Sequence, residues 1–161
     1  MYREICFVFV TTIILMLIRK KSVEEFKNEN INLLEKCFPR DKLDLHLHKE
    51  HYKYSEVVKT ENGILYCTPN NRVPGIPQLT WNGVFLNNLC IDPKKRNKGE
   101  ATKLIKKVID KAKKRGNDHI ILQVENSNTP AVNLYKKLGF KKHMEGVNED
   151  GQLASVYVRY L

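Results

Sequence analysis

The alternation of apolar and polar positions divides the 161-residue chain into strand-like and helix-like segments. Residues 84–91 and 119–124 are apolar runs of the length typical of buried strands. Between them, residues 100–115 carry one apolar stripe at helical spacing and are followed by Gly116, which favours a helix that ends there. The stripe consists of Ala101, Leu104, Ile105, Val108 and Ala112.

Upstream, a second pair of apolar segments indicates a β-hairpin. Residues 56–60 and 64–68 flank the sequence Glu-Asn-Gly at 61–63, and Asn-Gly is a strong turn signal. The following stretch, residues 69–82, contains three prolines and a glycine and is therefore predicted to be a long loop.

The C-terminal part continues the pattern with one more helix and two strands. Thr129 is expected to be the N-cap of a helix with Pro130 at its first position, and Gly139 is expected to end it. Residues 140–146 and 153–161 then predict a closing pair of strands around a polar turn.

The first third of the chain contains another helix. Ser22 followed by Glu25 forms a capping box, and the helical spacing of apolar residues extends to about Cys37 before Pro39 stops it. Residues 43–48 fit both a strand and a helix, and the pattern does not decide between them.

Residues 5–18 form an uncharged and mostly apolar run. A membrane-spanning helix needs about 20 such residues, and no small-residue cleavage site of a signal peptide follows the run. We expect residues 1–15 to be a dispensable appendage or an over-long gene start, and residues 16–161 to be a single domain. The alternatives are that residues 7–14 lengthen the first strand and cover core surface, or that the run is a membrane anchor. The expected location is cytoplasmic, with membrane association through this run as the alternative.

The net charge of +10 is concentrated in one segment. Residues 94–115 contain eleven lysines and arginines against Glu100 and Asp110, so they supply +9 of the total. Most of these lysines lie away from the apolar stripe of the predicted helix, which favours a solvated basic face. No aromatic residues alternate with them, so nucleic acid is not expected as a partner.

The cysteines and histidines indicate neither a disulfide framework nor a metal site. Cys6, Cys37, Cys67 and Cys90 are widely separated, so we expect four reduced cysteines, with Cys90 packing in a strand. The histidines at 46, 48 and 51 lack the spacing of a metal-binding helix, and no metal is expected.

The chemistry is concentrated at the junction between the strand at 84–91 and the following helix. Arg96-Asn97-Lys98-Gly99-Glu100-Ala101 forms a basic loop with small residues where an anion would approach the backbone. The first N–H groups of a helix are unpaired and lie at the positive end of its dipole. The loop therefore predicts a phosphate-binding site.

These residues resemble the GNAT superfamily of acetyl-CoA-dependent N-acetyltransferases. Arg96, Gly99 and Ala101 match its pyrophosphate motif, and Leu89-Cys90-Ile91-Asp92-Pro93 is similar to its fourth strand and the bend that follows. A second motif of the family matches downstream, at Asn128, Ala131, Leu134-Tyr135 and Gly139-Phe140. The resemblance implies an α/β (α+β) fold with a mixed, mostly antiparallel sheet of six or seven strands. Helices flank this sheet, and it splays between its fourth and fifth strands.

The resemblance also implies a cofactor and a mechanism. Acetyl-CoA would lie between the splayed strands, and an amine would attack its thioester directly. The N–H of Ile91 would stabilise the oxyanion, and Tyr135 would protonate the leaving thiolate. The implied cofactor-binding residues are Leu89, Cys90, Ile91, Arg96, Asn97, Lys98, Gly99, Glu100, Ala101, Thr102, Asn128, Ala131 and Tyr135.

Two departures from the family pattern leave an alternative open. Glu100 places a carboxylate inside the phosphate loop, and no glutamate stands at the usual general-base position of the fourth strand. Glu56, Glu125 and the histidines of 46–51 are the candidate bases. The alternative is a weak or inactive acyl-CoA-binding regulatory module.

The acceptor amine is expected to enter between residues 38–54 and 146–153. The second of these segments, together with Glu145, carries carboxylates that would attract a cation. A protein or peptide amine and a small amine metabolite both fit, and the oligomeric state is left open.

Overall fold

The computed structural model describes residues 31–38, 55–69 and 82–161. The predicted extension at 1–15, the segment at 43–48 with its histidines, and most of the loop at 69–82 lie outside these residues. The helix predicted after Ser22 is described only at its end, where residues 31–34 are helical and a turn follows.

Six strands of the described residues form one sheet in the order β1-β2-β3-β4-β6-β5. Only β3 and β4 pair in parallel, and all other neighbours are antiparallel. The predicted mixed, mostly antiparallel sheet is therefore confirmed. Its strands are β1 Glu56–Thr60, β2 Gly63–Pro69, β3 Gly83–Ile91, β4 His119–Glu125, β5 Lys141–Val147 and β6 Leu153–Tyr160.

Helices pack against both faces of this sheet. Helix α1, Glu100–Lys114, and helix α2, Thr129–Lys137, share one apolar core with the face that carries Leu86 and Leu122. Residues 31–38 pack on the opposite face, where Leu34, Ile64, Tyr66 and Cys90 form a second cluster. We call these the α face and the opposite face of the sheet.

The β1–β2 hairpin is confirmed with a shorter turn than predicted. Thr60 pairs with Gly63, so only Glu61 and Asn62 connect the strands and Gly63 belongs to β2. A Cβ atom at Gly63 would lie 2.9 Å from Leu104 Cδ1, so this strand position has no room for a side chain. Glycine here lets α1 approach the sheet closely.

The predicted N-cap of α2 is wrong by one residue. Asn128 is the cap, because its side-chain oxygen accepts a hydrogen bond from the N–H of Ala131 at 3.3 Å. Thr129 is therefore the first residue of the helix, and Pro130 still lies in the first turn, where no N–H donor is needed.

The expectation of four reduced cysteines is also wrong. Cys37 and Cys90 form a disulfide, with their Cα atoms 5.7 Å apart. Their sequence separation of 53 residues gave no local signal, and the contact arises because residues 31–38 pack on β3. Cys67 is a buried free cysteine.

No helix within the described ranges is both long enough and apolar enough to cross a membrane.

Candidate cofactor cleft and active site

Strands β3 and β4 pair with each other over only part of their length. Their parallel pairing joins residues 83–86 to residues 119–122 and stops there. Beyond this point β3 continues along β2, and β4 continues along β6. The two strands therefore diverge, and we call the wedge between residues 87–91 and 123–125 the open cleft.

A β-bulge in β3 lies at the point where the strands separate. Leu65 of β2 pairs with Leu89, but Cys67, two residues later, pairs with Leu86, three residues earlier. The extra residue lies in the stretch Asn87–Asn88. A bulge bends its strand and increases the local twist, and this turns the rest of β3 away from β4.

Backbone donors of β3 point into the open cleft. The N–H of Asp92 donates to the carbonyl oxygen of Asn62, on the β2 side, at 2.9 Å. Successive N–H groups of an extended chain point to opposite edges, so the N–H groups of Ile91 and Leu89 point to the side of the cleft. That orientation is what pairing with an extended ligand requires.

The loop between β3 and α1 is curled by two residues with positive φ. Asn97 has a φ of 60° and Gly99 has a φ of 79°, and α1 begins directly afterwards. Asp92 holds the start of the loop, because its Oδ1 accepts a hydrogen bond from the N–H of Lys94 at 3.0 Å. A curled backbone that leads into a helix N-terminus forms a concave set of donors suited to an anion.

The side chains of this loop are basic and exposed. Lys94, Lys95 and Lys98 are all exposed. Arg96 lies against the end of β3, where its Nε donates to the carbonyl oxygen of Ile91 at 3.4 Å. Within the part of the chain that the structure describes, no atom beyond the adjoining residues lies within 4 Å of where a Gly99 Cβ would be.

Glu100 is turned toward neighbours other than the loop amides. Its carboxylate forms an ion pair with Lys103 Nζ at 2.8 Å. The hydrogen bond from Lys103 lowers the pKa of this carboxyl. The charge of Glu100 is therefore compensated within the protein.

Tyr135 lies on the inner side of α2. Its side chain is buried, with its ring centroid 5.8 Å from that of Phe140 in an edge-on contact. It shares the α-face core with Ile91, and burial raises its pKa to about 12. The phenol is therefore protonated at neutral pH.

The remaining predicted cofactor residues frame the same region. Ala101 and Thr102 are half-buried in the first turn of α1. Ala131 packs against the α-face core, and Asn128 is exposed and uses its side-chain oxygen as the cap of α2. The N-termini of both helices follow strands that border the open cleft.

Of the candidate bases, Glu56 lies at the wrong end of the sheet. Its carboxylate forms ion pairs with Lys111 and, at 2.6 Å, with Arg115. Lys111 lies in the last turn of α1 and Arg115 is its C-cap, so both are about 20 Å along the helix axis from Gly99. The candidate histidines of 46–51 lie outside the described residues.

Glu125 is the candidate base that borders the open cleft. It is half-buried at the end of β4, and its Oε1 accepts a hydrogen bond from Asn148 Nδ2 at 3.4 Å. Val124 faces the α-face core, so Gln123 and Glu125 project from the opposite face. Within the described ranges no lysine or arginine forms an ion pair with Glu125.

Glu145, which the sequence indicated as an acceptor-attracting carboxylate, is already engaged. It forms an ion pair with Lys142 and accepts hydrogen bonds from Asn126 at 2.7 Å and from Ser155 at 3.3 Å. The hydrogen bond from Lys142 lowers the pKa of the Glu145 carboxyl the most, and the other two donors also lower it. Among residues 31–38, 55–69 and 82–161, no three metal-ligating side chains come together.

Sequence reasoning missed two features of this site. The first is the bulge in β3, whose signal was the pair of asparagines at 87 and 88 inside an otherwise apolar strand. The second is the contact of residues 31–38 with the cleft, through the disulfide and through the ion pair of Lys36 with Asp92 at 2.8 Å. No local pattern predicts contacts between segments so distant in sequence.

Curated relatives are similar to part of the chain. The mouse thialysine N-epsilon-acetyltransferase is 44% identical over 62 residues, which are 37% of this chain and 36% of the relative. The ribosomal protein bS18-alanine N-acetyltransferase of Escherichia coli is 34% identical over 67 residues, 42% of this chain and 45% of the relative. The chain thus spans less than half the length of these relatives.

Solved structures share the fold over a longer range. The Escherichia coli ribosomal-protein-S18-alanine N-acetyltransferase superposes with a TM-score of 0.58 at 20% identity, covering 80% of this chain and 83% of that one. A Salmonella typhimurium protein solved with its cofactor acetyl-CoA has a TM-score of 0.51 at 19% identity, covering 62% and 58%.

The family model of the Acetyltransferase (GNAT) family matches residues 27–140, which is well over half of the chain. This range contains the open cleft, the curled loop between β3 and α1, and Tyr135. The chain therefore belongs to the GNAT family of acetyltransferases.

Proposed function

We propose that this protein transfers the acetyl group of acetyl-CoA to a primary amine. The observation that carries the proposal is the open cleft between β3 and β4, which is followed along β3 by the curled loop at the N-terminus of α1. The buried phenol of Tyr135 supports it, because Tyr135 belongs to the same α-face core as Ile91 at the end of β3.

The pyrophosphate and the pantetheine arm of acetyl-CoA would each be bound by residues of this region. The pyrophosphate would bind to the N–H groups of residues 96–102, aided by the basic side chains of the loop. The pantetheine arm would pair with the free edge of β3 at Leu89, Cys90 and Ile91 as an added strand. The Salmonella typhimurium neighbour solved with acetyl-CoA supports this assignment of the cofactor.

The chemistry would proceed by direct attack in a ternary complex. The amine nitrogen forms a bond to the thioester carbon, and the N–H of Ile91 donates to the oxyanion that develops. The carbon–sulfur bond then breaks, and Tyr135 gives its proton to the departing thiolate. The proton released by the attacking nitrogen leaves to solvent or to a carboxylate beside the cleft.

The acceptor would approach from the opposite face of the sheet, because α1 and α2 cover the α face. Glu125 projects from that side and has no cationic partner among the described residues, whereas Glu145 is neutralised by Lys142. We therefore assign to Glu125 the attraction of a cationic acceptor. The names of the relatives include both a protein alanine and thialysine as acceptors.

The first experiment is a calorimetric titration of the full chain with acetyl-CoA. Gly99→Val should weaken binding at least tenfold, because a branched side chain would occupy the space where the pyrophosphate meets the backbone. Gly116→Val is the matched control, since Gly116 also has positive φ and open surroundings but lies at the other end of α1. Unmeasurable binding by the unmodified protein would refute the proposal.

The second experiment identifies the acceptor by mass spectrometry of products from a panel of peptides and small amines. Amines with a second positive charge should be acetylated faster than neutral amines of equal length. If acetyl-CoA binds and no amine is acetylated, the regulatory alternative replaces the catalytic function. The position of Glu100 disfavours that alternative, because its carboxylate is paired with Lys103 rather than directed at the phosphate site.

A further inference from the structure

Two cysteines meet behind the open part of β3. Cys37 follows the helical residues 31–34, and Cys90 is the penultimate residue of β3. Their disulfide joins the segment on the opposite face to the strand that borders the cleft. The ion pair of Lys36 with Asp92 at 2.8 Å adds a second link between the same two segments.

The cysteine pair also contacts the phosphate-binding loop. Arg96 Nη2 lies 3.9 Å from Cys37 Sγ, and Arg96 Nε donates to the carbonyl oxygen of Ile91 at 3.4 Å. One guanidinium therefore contacts both the sulfur and the last residue of β3. Breaking or forming the disulfide therefore changes the surroundings of both the end of β3 and the phosphate-binding loop.

The same site also accommodates two thiols. Cys37 Sγ lies 3.4 Å from the carbonyl oxygen of Ile91, and Cys90 Sγ lies 3.2 Å from that of Leu33. A thiol is a weak hydrogen-bond donor. When the disulfide is reduced, each thiol therefore has a backbone carbonyl oxygen within hydrogen-bonding distance. Reduction therefore leaves neither sulfur without a polar neighbour.

The two sulfurs differ in access. Cys90 is fully buried, whereas Cys37 is half-buried and lies beside the guanidinium of Arg96. An external thiolate would reach Cys37 first. A nearby positive charge favours the thiolate form of a cysteine, which is the reactive form in thiol–disulfide exchange.

We propose that Cys37 and Cys90 are a redox-responsive pair that controls how firmly the acetyl-CoA strand and loop are held. A glutathione thiolate attacks Cys37 Sγ, the disulfide breaks, and Cys90 leaves as a thiolate that takes up a proton. A second glutathione thiolate attacks the mixed disulfide and releases Cys37 together with glutathione disulfide. Two electrons pass from two glutathione molecules to the pair, and oxidation is the reverse sequence.

The consequence for the cleft follows from conformational entropy. With the bond closed, residues 31–38, the end of β3 and Arg96 are held as one unit before the cofactor arrives. With the bond open, binding must also order these segments against one another, and this lowers affinity. The oxidised protein should therefore bind acetyl-CoA about threefold or more tightly than the reduced protein, an effect that rests on the proposed function.

The first test needs no cofactor. The full chain is equilibrated with excess glutathione disulfide, digested without reduction and analysed by mass spectrometry, which also distinguishes pairing with Cys6 or Cys67. A linked peptide containing Cys37 and Cys90 is expected, and it should disappear with excess reduced glutathione. Free or glutathionylated Cys37 and Cys90 under oxidising conditions would overturn the proposal.

The second test compares acetyl-CoA affinity in the two states by calorimetry. Cys37→Ser should lose the difference between oxidising and reducing conditions, and Cys67→Ala, the control at a buried unpaired cysteine, should retain it. Equal affinities, or tighter binding by the reduced protein, would overturn the proposed control. If neither state binds acetyl-CoA, both the proposed function and the proposed redox control of affinity fail. The linked peptide then still shows whether Cys37 and Cys90 form a disulfide.

Discussion

The two halves of the β3–β4 pair have the same outer neighbours in the sheet, but they differ in whether the two strands are hydrogen-bonded to each other and in how apolar they are. In the closed half, residues 83–86 and 119–122 are hydrogen-bonded to each other and mostly buried. In the open half, residues 87–91 and 123–125 lose that pairing, and polar side chains such as Asn88, Gln123 and Glu125 interrupt the apolar pattern.

One extra residue in β3 separates these halves. The closed half fixes the distance and direction of the two strands, and the bulge at residues 87–88 then turns them apart. The result is a cleft in which each wall remains paired with its outer neighbour, β3 with β2 and β4 with β6. Substitutions in the closed half should accordingly lower the stability of the fold. Substitutions in the open half should change acetyl-CoA binding or turnover.

The largest effect is expected in the closed half. Leu122 is 1% exposed, so Leu122→Ala should lower the free energy of unfolding by about 2–5 kcal/mol, because it leaves a cavity in the α-face core. Gln123→Ala, at the adjacent exposed residue, should change it by no more than about 0.5 kcal/mol. Chemical denaturation of both variants measures the difference, and equal losses would break the distinction between the halves.

The next-largest expected effect is on turnover at the open cleft. Tyr135→Phe should reduce kcat about a hundredfold or more, because it removes the proton donor, and it should leave acetyl-CoA affinity within about twofold. Tyr157→Phe is the control, since Tyr157 is a buried tyrosine of the same core. A Tyr135→Phe variant with unchanged kcat would remove Tyr135 from the mechanism.

A smaller effect links Tyr135 to stability at alkaline pH. Burial raises its pKa to about 12, whereas a tyrosine in an unfolded chain titrates near 10. The neutral phenol therefore contributes stability below pH 10, and this contribution is lost as pH rises from about 10 to 12. The slope should be about 1.4 kcal/mol per pH unit, and Tyr135→Phe should remove that component from denaturation curves recorded between pH 9 and 12.

Much of the fold could be predicted because its signals are local. The strand at 84–91, the basic loop and the helix that follows are contiguous in sequence, so periodicity and the glycine at 99 were sufficient to locate them. The cap of α2 was harder, since Asn128 and Thr129 are both good capping residues. Only the position of Ala131 N–H relative to each side-chain oxygen decides between them.

The parts that sequence could not predict depend on distant contacts. Cys37 and Cys90 are 53 residues apart, and their pairing follows from the packing of residues 31–38 on β3. Motifs therefore predict which residues bear the chemistry, and tertiary packing determines which neighbours contact them.

The most direct test of the account is an acetyl-CoA titration followed by the backbone amide signals of the full chain in NMR spectra. We predict the largest shifts at residues 88–91 and 96–102, with smaller ones at 123–125 and little change at 83–86 and 119–122. Shifts concentrated elsewhere in the sheet, or no shifts at millimolar acetyl-CoA, would contradict the claim that the open cleft is the cofactor site.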